Sequence, residues 1–415
     1  MTKESAKGDN RLFKKEISVR QLLAQDMKGM SQLAEQGTLE LMALVETMHQ
    51  NVFTLGGLLS QQDKKDSKRT NGITGLVYRA INKTTALSFK GINLALATFS
   101  PLIDKSVGQF WEKYWYGQRR NQWLSALNGL LGDQLAESDN PLALNMQLIY
   151  QGRVIDYVEA ATLMDSHDGE SLLLVHGLCM NDELWVHEGH EHGATLSESH
   201  NQLCFYLRYN TGRAIHKNGQ QLSGLLDAVF SKRTGRSQLN ILCHSMGGLV
   251  ARSALSHAVI NNKTWSDHVN KTVFLGTPHQ GATLEKAGNV LDYLLTISPY
   301  SAPFAKLTRS RSQGIQDLQH GCIHHSASLN EIPKHIMVHA VAASRSKLES
   351  MPYVSGENKT IDVSLKGDGL VTVSSAVADK LMLKDQGHQQ WLLPDCNHME
   401  LLGGKASELL NLFFK

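Results

Sequence analysis

The chain has 415 residues, more than one average domain, and its 41% hydrophobic and 19% charged residues are typical of a globular protein. A formal net charge of only +2 argues against a nucleic-acid-binding surface. The five cysteines include no C-x-x-C pair, so we expect neither a disulfide framework nor a zinc knuckle. The polar start and the lack of any apolar stretch of about 18 residues predict no secretory signal, no transmembrane helix and a cytoplasmic location.

Helical patterns dominate residues 1–140. Apolar residues recur at helical spacing over 17–50 and again over 73–103, where the apolar face is broad and charges are few. We interpret the second block as a helical hairpin packed on the rest of the protein. The alternative is peripheral contact with a membrane, lipid or granule surface. Aromatic residues over 111–123 are expected in core or interdomain contacts rather than in a carbohydrate-binding platform.

From residue 141 to 415, strand and helix patterns alternate. Alternation of this kind predicts an α/β fold with a mostly parallel central sheet flanked by helices. No strand pattern appears over 282–333, where we expect a cap or lid insertion above the carboxyl ends of the strands. Strands are predicted at 146–150, 153–158, 171–176, 203–209, 239–243, 272–275, 336–343 and 390–393. Helices are predicted at 222–230, 246–259 and 407–414.

Residues 239–255 combine an apolar strand, a sharp turn and a helical pattern, with Ser245 at the apex. This arrangement is the nucleophile elbow of α/β-hydrolases, usually written G-x-S-x-G. The turn strains the serine backbone and exposes the hydroxyl, and it needs small neighbours such as Gly247. Cys243 stands where the first glycine is expected. We predict that its side chain is buried and inert.

A V-H-G-L sequence follows the first buried strand after the hairpin. In the α/β-hydrolase fold this loop supplies one backbone N–H of the oxyanion hole, and the residue after the nucleophile supplies the other. Those two residues are Leu178 and Met246. We expect His176, Gly177 and His244 to line the substrate pocket, although His244, adjoining the nucleophile, is badly placed to act as a base.

An acid and a histidine follow the nucleophile in the order that this fold requires. Asp368 lies in a glycine-flanked loop, and His398 lies between the last strand and the last helix. We expect His398 to take the proton of Ser245 and Asp368 to orient the imidazole, so that an acyl-enzyme forms with no metal or organic cofactor. Asp362 and His388 are weaker alternatives. His388 precedes the last strand and should lie at the opposite end of the sheet.

The run at 187–192, HEGHEH, raises the question of a metal site. Its spacing is not H-E-x-x-H, and a third ligand has no clear source. We therefore expect a polar wall near the oxyanion loop rather than a metal site.

Residues 275–281, LGTPHQG, resemble the L-G-T-P-H-x-G signature of bacterial lipases and of GPI inositol-deacylase-like α/β-hydrolases. With the V-H-G-L, H-S-M-G-G and D-G-L-V motifs, the resemblance extends from residue 172 to the C terminus. Strings at 176–182 and 298–304 are similar to an uncharacterised bacterial branch with a helical N-terminal region. The resemblance implies a lipase-type ester hydrolase with Ser245, Asp368 and His398 at the triad positions. It does not imply GPI as substrate.

The expected reaction is hydrolysis of a carboxylic ester, with a small-molecule or lipid substrate that carries a hydrophobic acyl group. An acyltransferase or a thioesterase would use the same residues and remains an alternative. A second alternative is a non-catalytic lipid- or granule-surface protein that acts through its helical N-terminal region. The weakness of this alternative is the intact set of serine, aspartate and histidine, which a scaffold does not need.

Overall fold

The computed structural model describes residues 118–282, 312–323, 332–347, 353–354, 361–378 and 388–415, together with 25–26, 28–29 and 32–33. The apolar block at 73–103 and most of the helical pattern at 17–50 lie outside the described residues. The same holds for residues 283–311 and 324–331 of the expected cap insertion.

Eleven strands and eight α-helices lie in the described part of the chain. The strands are β1 (Gln147–Tyr150), β2 (Arg153–Ile155), β3 (Ser171–Val175), β4 (Val186–His187), β5 (His190–Glu191), β6 (Leu203–Arg208), β7 (Leu239–His244), β8 (Val269–Leu275), β9 (Met337–Ala343), β10 (Tyr353–Val354) and β11 (Gln389–Leu393). The helices are α1 (Gln118–Glu137), α2 (Tyr157–Ser166), α3 (His192–His200), α4 (Ile215–Phe230), α5 (Met246–Ile260), α6 (Gln313–His320), α7 (Val373–Ala376) and α8 (Gly404–Phe413).

Nine of these strands form one sheet in the order β10-β11-β9-β8-β7-β3-β6-β1-β2. The six strands from β11 to β6 are parallel, whereas β1, β2 and β10 are antiparallel to their neighbours. Together with the helices that follow the strands, this is the α/β-hydrolase fold that the sequence predicts.

The strand order reverses direction at β3. The chain passes from β3 to β6 on one side and then returns to β7 on the other side of β3. In open α/β sheets, ligands bind outside the carboxyl ends of the strands at such a switch point. All residues of β3 and β7 are buried, as expected for parallel strands covered on both faces. The two strands therefore form a rigid frame for the loops that follow them.

Helix α1 packs directly on the α/β part of the chain. Two glycines allow this close approach, since a Cβ on Gly129 would lie 2.0 Å from Cys179 Sγ and one on Gly132 would lie 1.8 Å from Asn210 Oδ1. Trp123 is buried in the same core, in agreement with its predicted role. The other aromatic residues of this prediction, over 111–116, lie outside the described residues.

A short part of the N-terminal region is tied to the start of α1. Arg120 donates from Nε and Nη2 to the two carboxylate oxygens of the buried Asp26, at 2.7 and 2.6 Å. Asn140 Nδ2 donates to the carbonyl of Gly29 at 2.9 Å. These bonds connect positions about a hundred residues apart in sequence, so this stretch and α1 belong to one packed unit.

Several expected boundaries were wrong. Strand β8 begins at Val269 rather than at residue 272, and α8 begins at Gly404 rather than at residue 407. The strand predicted over 153–158 ends at Ile155, because Asp156 caps α2 by accepting hydrogen bonds from the backbone of Val158 and Glu159. Helix α4 begins at Ile215 rather than at residue 222. The added turns include Gly219, whose missing side chain lets α4 pack on α5, since a Cβ there would lie 2.3 Å from Ser253 Oγ. The short hairpin β4–β5 and helix α3 were not predicted.

Among the residues that the structure describes, no helix combines the length and the apolar character needed to span a membrane.

Candidate active site

Ser245 lies in the turn between β7 and α5, where the sequence predicts an elbow. Its backbone has φ 54° and ψ −126°, a conformation that non-glycine residues rarely adopt and that stores strain. The Ser245 N–H donates to the carbonyl of Leu275 at 2.9 Å, so β8 holds the turn from one side. The serine thus projects from a fixed corner at the carboxyl edge of the sheet.

The elbow is too crowded for side chains at the two positions that follow Met246. A Cβ on Gly247 would lie 2.2 Å from the carbonyl oxygen of Val175, and one on Gly248 would lie 2.1 Å from Thr277 Oγ1. Cys243 lies inside β7 and is fully buried, and burial raises the pKa of its thiol well above the usual value. The prediction that Cys243 is buried is confirmed, and β7 accommodates this departure from glycine. That its thiol is inert stays a prediction.

Asp368 and His398 form a buried hydrogen-bonded pair. Asp368 Oδ2 accepts from His398 Nδ1 at 2.6 Å. Asp368 Oδ1 accepts from the backbone N–H groups of Leu370 and Val371 at 2.9 and 2.8 Å, which fixes the orientation of the carboxylate. Because the carboxylate can only accept, the imidazole carries its proton on Nδ1, and Nε2 is the nitrogen suited to take up a second proton.

The structure brings this pair next to the turn that carries Ser245. Gly276 follows Leu275, the residue that accepts from Ser245, and a Cβ on Gly276 would lie 3.2 Å from His398 Nδ1 and Cε1. The rings of His244 and His398 lie 4.7 Å apart between centroids. Gly276 and His244, which both adjoin the turn of Ser245, therefore lie against the His398 ring.

The two backbone segments predicted to form the oxyanion hole lie beside the serine. Met246 is the first residue of α5, so its N–H has no partner within the helix. A Cβ on Gly177 would lie 3.0 Å from Ser245 Cβ. The Gly177 carbonyl accepts from Met180 N at 3.3 Å and from His176 Nδ1 at 2.9 Å. Since C=O and N–H point in opposite directions in a trans peptide, these bonds set the direction of the following N–H, that of Leu178.

His176 and His244 are fully buried. The His176 ring stacks on Tyr209 at 4.5 Å, and burial lowers its pKa to about 4. His244 Nε2 donates to the carbonyl of His398 at 3.1 Å, and burial also lowers its pKa well below the usual value. All of these contacts are with the protein itself. Substrate contact by His176, Gly177 and His244 stays a prediction.

The HEGHEH run forms the hairpin β4–β5 and the start of α3. His190 Nε2 and His192 Nδ1 are 2.8 Å apart, and His192 Nε2 lies 2.9 Å from the carbonyl of Leu401. A Cβ on Gly403 would lie 3.3 Å from His187 Cδ2, so the run lies against the loop that follows His398. Within the described ranges, no group of three or more His, Cys, Asp or Glu side chains is arranged to hold a metal ion.

The two alternative residues are not part of the Asp368–His398 pair. Asp362 is exposed, and its Oδ1 accepts from the backbone and the hydroxyl of Ser364. His388 directly precedes β11, so it lies at the amino end of that strand, as predicted.

Sequence reasoning missed Arg345, which follows β9. Its Nε donates to the carbonyl of Asp368 at 3.0 Å, and a Cβ on Gly369 would lie 2.2 Å from its Nη2. Arg345 therefore supports the loop that carries the carboxylate. Its position just beyond a strand end was the one available signal in the sequence.

Residues 148–349 match a family model described as a domain of unknown function, DUF7379, a range that includes Ser245 but neither Asp368 nor His398. No curated protein matches the chain. The solved structures similar to it include the mature lipase BlEst2 of Bacillus licheniformis, at 18% identity over 59% of this chain and 91% of that one, with a TM-score of 0.40. They also include the carboxylesterase CesB of Bacillus subtilis, at 12% identity over 70% and 96% with a TM-score of 0.35. A third is the NocB thioesterase domain of the nocardicin cluster, at 11% identity over 60% and 95% with a TM-score of 0.35.

Proposed function

We propose that this protein is a serine hydrolase that cleaves carboxylic esters with a hydrophobic acyl group. The observation that carries the proposal is the 2.6 Å bond between Asp368 and His398, placed beside the strained turn of Ser245. A buried carboxylate that orients an imidazole beside a serine on a strained turn is the arrangement that acyl transfer requires.

In the proposed mechanism, His398 Nε2 accepts the proton of Ser245 as the hydroxyl oxygen attacks the ester carbonyl. The oxyanion that develops is stabilised by the backbone N–H groups of Leu178 and Met246, each contributing about 2.7–4 kcal/mol by analogy with other oxyanion holes. His398 then protonates the departing alcohol, which leaves an acyl-enzyme. Asp368 stabilises the imidazolium in both steps. Water, deprotonated by His398, then attacks the acyl carbon, and His398 returns the proton to Ser245 Oγ as the acid leaves.

The preference for an apolar acyl group is supported by the side chains around the reacting groups. Leu178, Met246 and Leu401 are buried. Met246 adjoins Ser245 in the chain, and both Leu401 and His398 approach Gly276. The resemblance of residues 275–281 to lipases points in the same direction. An acyltransferase or a thioesterase would form the same acyl-enzyme, and it would differ only in the group attacked or in the acceptor.

Labelling with a fluorophosphonate probe tests the nucleophile. The wild-type protein should be labelled and Ser245→Ala should not, while Ser364→Ala, which changes an exposed serine of the same domain, should label like the wild type. Absence of labelling in a folded wild-type protein would contradict the proposal and favour the non-catalytic, surface-binding alternative.

A panel of p-nitrophenyl esters of increasing chain length then tests the substrate class. We expect the highest kcat/KM for medium or long acyl chains. Faster cleavage of matched acyl thioesters, or transfer of the acyl group to an added alcohol in preference to water, would instead favour a thioesterase or an acyltransferase.

A further inference from the structure

The loop that carries His398, residues 396–403, is held by two histidines that the proposed mechanism does not use. His244 Nε2 lies 3.1 Å from the carbonyl oxygen of His398, and His192 Nε2 lies 2.9 Å from that of Leu401. We name residues 396–403 the His398 loop. The carbonyls of His398 and Leu401 thus accept hydrogen bonds from side chains that are 154 and 209 residues away in sequence.

We propose that His244 and His192 are positioning residues that hold the His398 loop so that the imidazole of His398 stays aligned with Ser245. This inference rests on the proposed function, because it assigns the two side chains a part in the same reaction. Neither residue exchanges a proton with the substrate.

The hydrogen-bond pattern fixes the form of both rings. A carbonyl only accepts, so each ring must carry its proton on Nε2. His192 Nδ1 then accepts from His190 Nε2, which makes a chain of two imidazoles that ends on Leu401. His244 Nδ1 faces Gly177, where a Cβ would lie 3.2 Å away. Both rings are neutral, because burial lowers the pKa of His192 to about 4 and that of His244 well below its usual value.

The two donors are themselves rigid. His244 is the last residue of β7, within the central sheet, and His192 is the first residue of α3. The fully buried ring of Trp185 makes edge contacts with both, at centroid distances of 6.4 Å to His192 and 6.5 Å to His244. The His398 loop therefore rests on a block of packed rings rather than on solvent-exposed side chains.

A loop between a strand and a helix lacks the hydrogen-bond ladder that fixes regular elements, so its carbonyls need other donors. A hydrogen bond from the N–H of a fixed imidazole ring therefore holds the backbone of the His398 loop in one position. Displacement of a catalytic group by about 1 Å lowers the rate by about 10²-fold. Loss of either donor should therefore lower kcat, and loss of the His192 donor should do so while substrate binding stays the same.

Paired substitutions test the two residues. We expect His244→Leu and His192→Leu, which remove the donor, to lower kcat on p-nitrophenyl esters roughly 10–100-fold. KM should change little in His192→Leu, whereas His244 is also expected to line the substrate pocket, so for His244→Leu the diagnostic value is kcat. His244→Gln and His192→Gln keep an N–H donor at a similar reach, so they should restore most of kcat. The matched control is His339→Leu, since His339 is a buried, neutral histidine on β9 that contacts Trp391 and Phe413 instead of this loop.

Hydrogen exchange of peptides covering 396–403 supplies a second readout that does not depend on activity. Exchange should rise in His244→Leu and His192→Leu and stay at the wild-type level in His339→Leu. If kcat and exchange are unchanged in the two leucine variants, or if His339→Leu lowers kcat equally, the inference is wrong. If the wild-type protein is neither labelled nor active, the proposed function fails, and altered exchange alone would still show that the two rings hold the loop.

Discussion

Asp368 has both carboxylate oxygens engaged, and this makes its substitution informative. In Asp368→Asn the single oxygen can serve the backbone N–H groups of Leu370 and Val371, but the amide nitrogen then faces His398 Nδ1 and favours the wrong tautomer. We expect kcat to fall by on the order of 10³–10⁴ with little change in fold. Steady-state kinetics of Asp368→Asn, beside Asp362→Asn as the exposed control, checks this. Equal losses in the two variants would contradict the assigned role.

A substitution at Cys243 distinguishes the effect of this residue on catalysis from its effect on packing. Replacing it with glycine restores the usual elbow sequence but removes a fully buried side chain from the middle of the sheet. We expect Cys243→Gly to keep kcat within about 2-fold and to lower the free energy of unfolding by about 1–3 kcal/mol. Urea unfolding and ester hydrolysis measure the two effects, and a large loss of kcat in the folded variant would mean that the thiol shapes the turn.

At this scale, sequence patterns identified the residues whose surroundings are local. Ser245 directly follows β7, whereas Asp368 and His398 lie in short loop motifs, and the structure places Asp368 beside His398. His192 and Arg345 could not be assigned from the sequence, because their importance comes from carbonyls that only the folded chain brings near.

At the scale of the elements, the junction of β3, β7 and α5 leaves no room for a side chain at Gly247. A methyl group on Gly247 would meet the Val175 carbonyl at 2.2 Å, and neither backbone can move without disturbing the sheet. We expect Gly247→Ala to lower the free energy of unfolding by about 1–3 kcal/mol or more and to reduce labelling of Ser245.

The matched element control is Gly224→Ala in α4, where a Cβ has no neighbour within 4 Å. Alanine in an open helix interior should raise the free energy of unfolding by about 0.5–1 kcal/mol. Thermal unfolding of Gly247→Ala and Gly224→Ala distinguishes backbone crowding from helix propensity. A shift of the unfolding midpoint in the same direction in both variants would contradict this explanation.

Elements with strong periodicity were predicted well, including β3, β7 and α5. Where the sequence periodicity is weaker, packing between elements determines where a helix begins. Helix α4 begins seven residues before the predicted start, and it continues through Gly219 because α5 lies against that position. The order of the strands was not predictable either, since alternation implies parallel strands and does not say on which side of β3 the next strand will lie.

For the molecule as a whole, buried neutral histidines should make stability depend on pH. Burial lowers the pKa of His176, His192 and His339 from 6.5 to about 4. Between these values the unfolded chain binds more protons than the folded one, so the free energy of unfolding falls as pH falls through that window and is fully present above it. Urea unfolding at about pH 7.5 and about pH 5 should show this loss, and His339→Gln should reduce it. Equal stability at both values would contradict this account.

The contact between Gly129 of α1 and the Cys179 thiol has a thermodynamic consequence. Cys179 directly follows Leu178 and has a positive φ of 59°, so its position is constrained by both the helix and the loop. If the docking of α1 biases the Leu178 amide, linkage requires that occupation of the site stabilise the docking of α1 by the same free energy. Phosphonylation of Ser245 should then slow hydrogen exchange in α1, and Gly129→Ala should weaken that coupling. Hydrogen exchange in α1, which is distant from Ser245 in sequence, would then differ between the free and the phosphonylated protein.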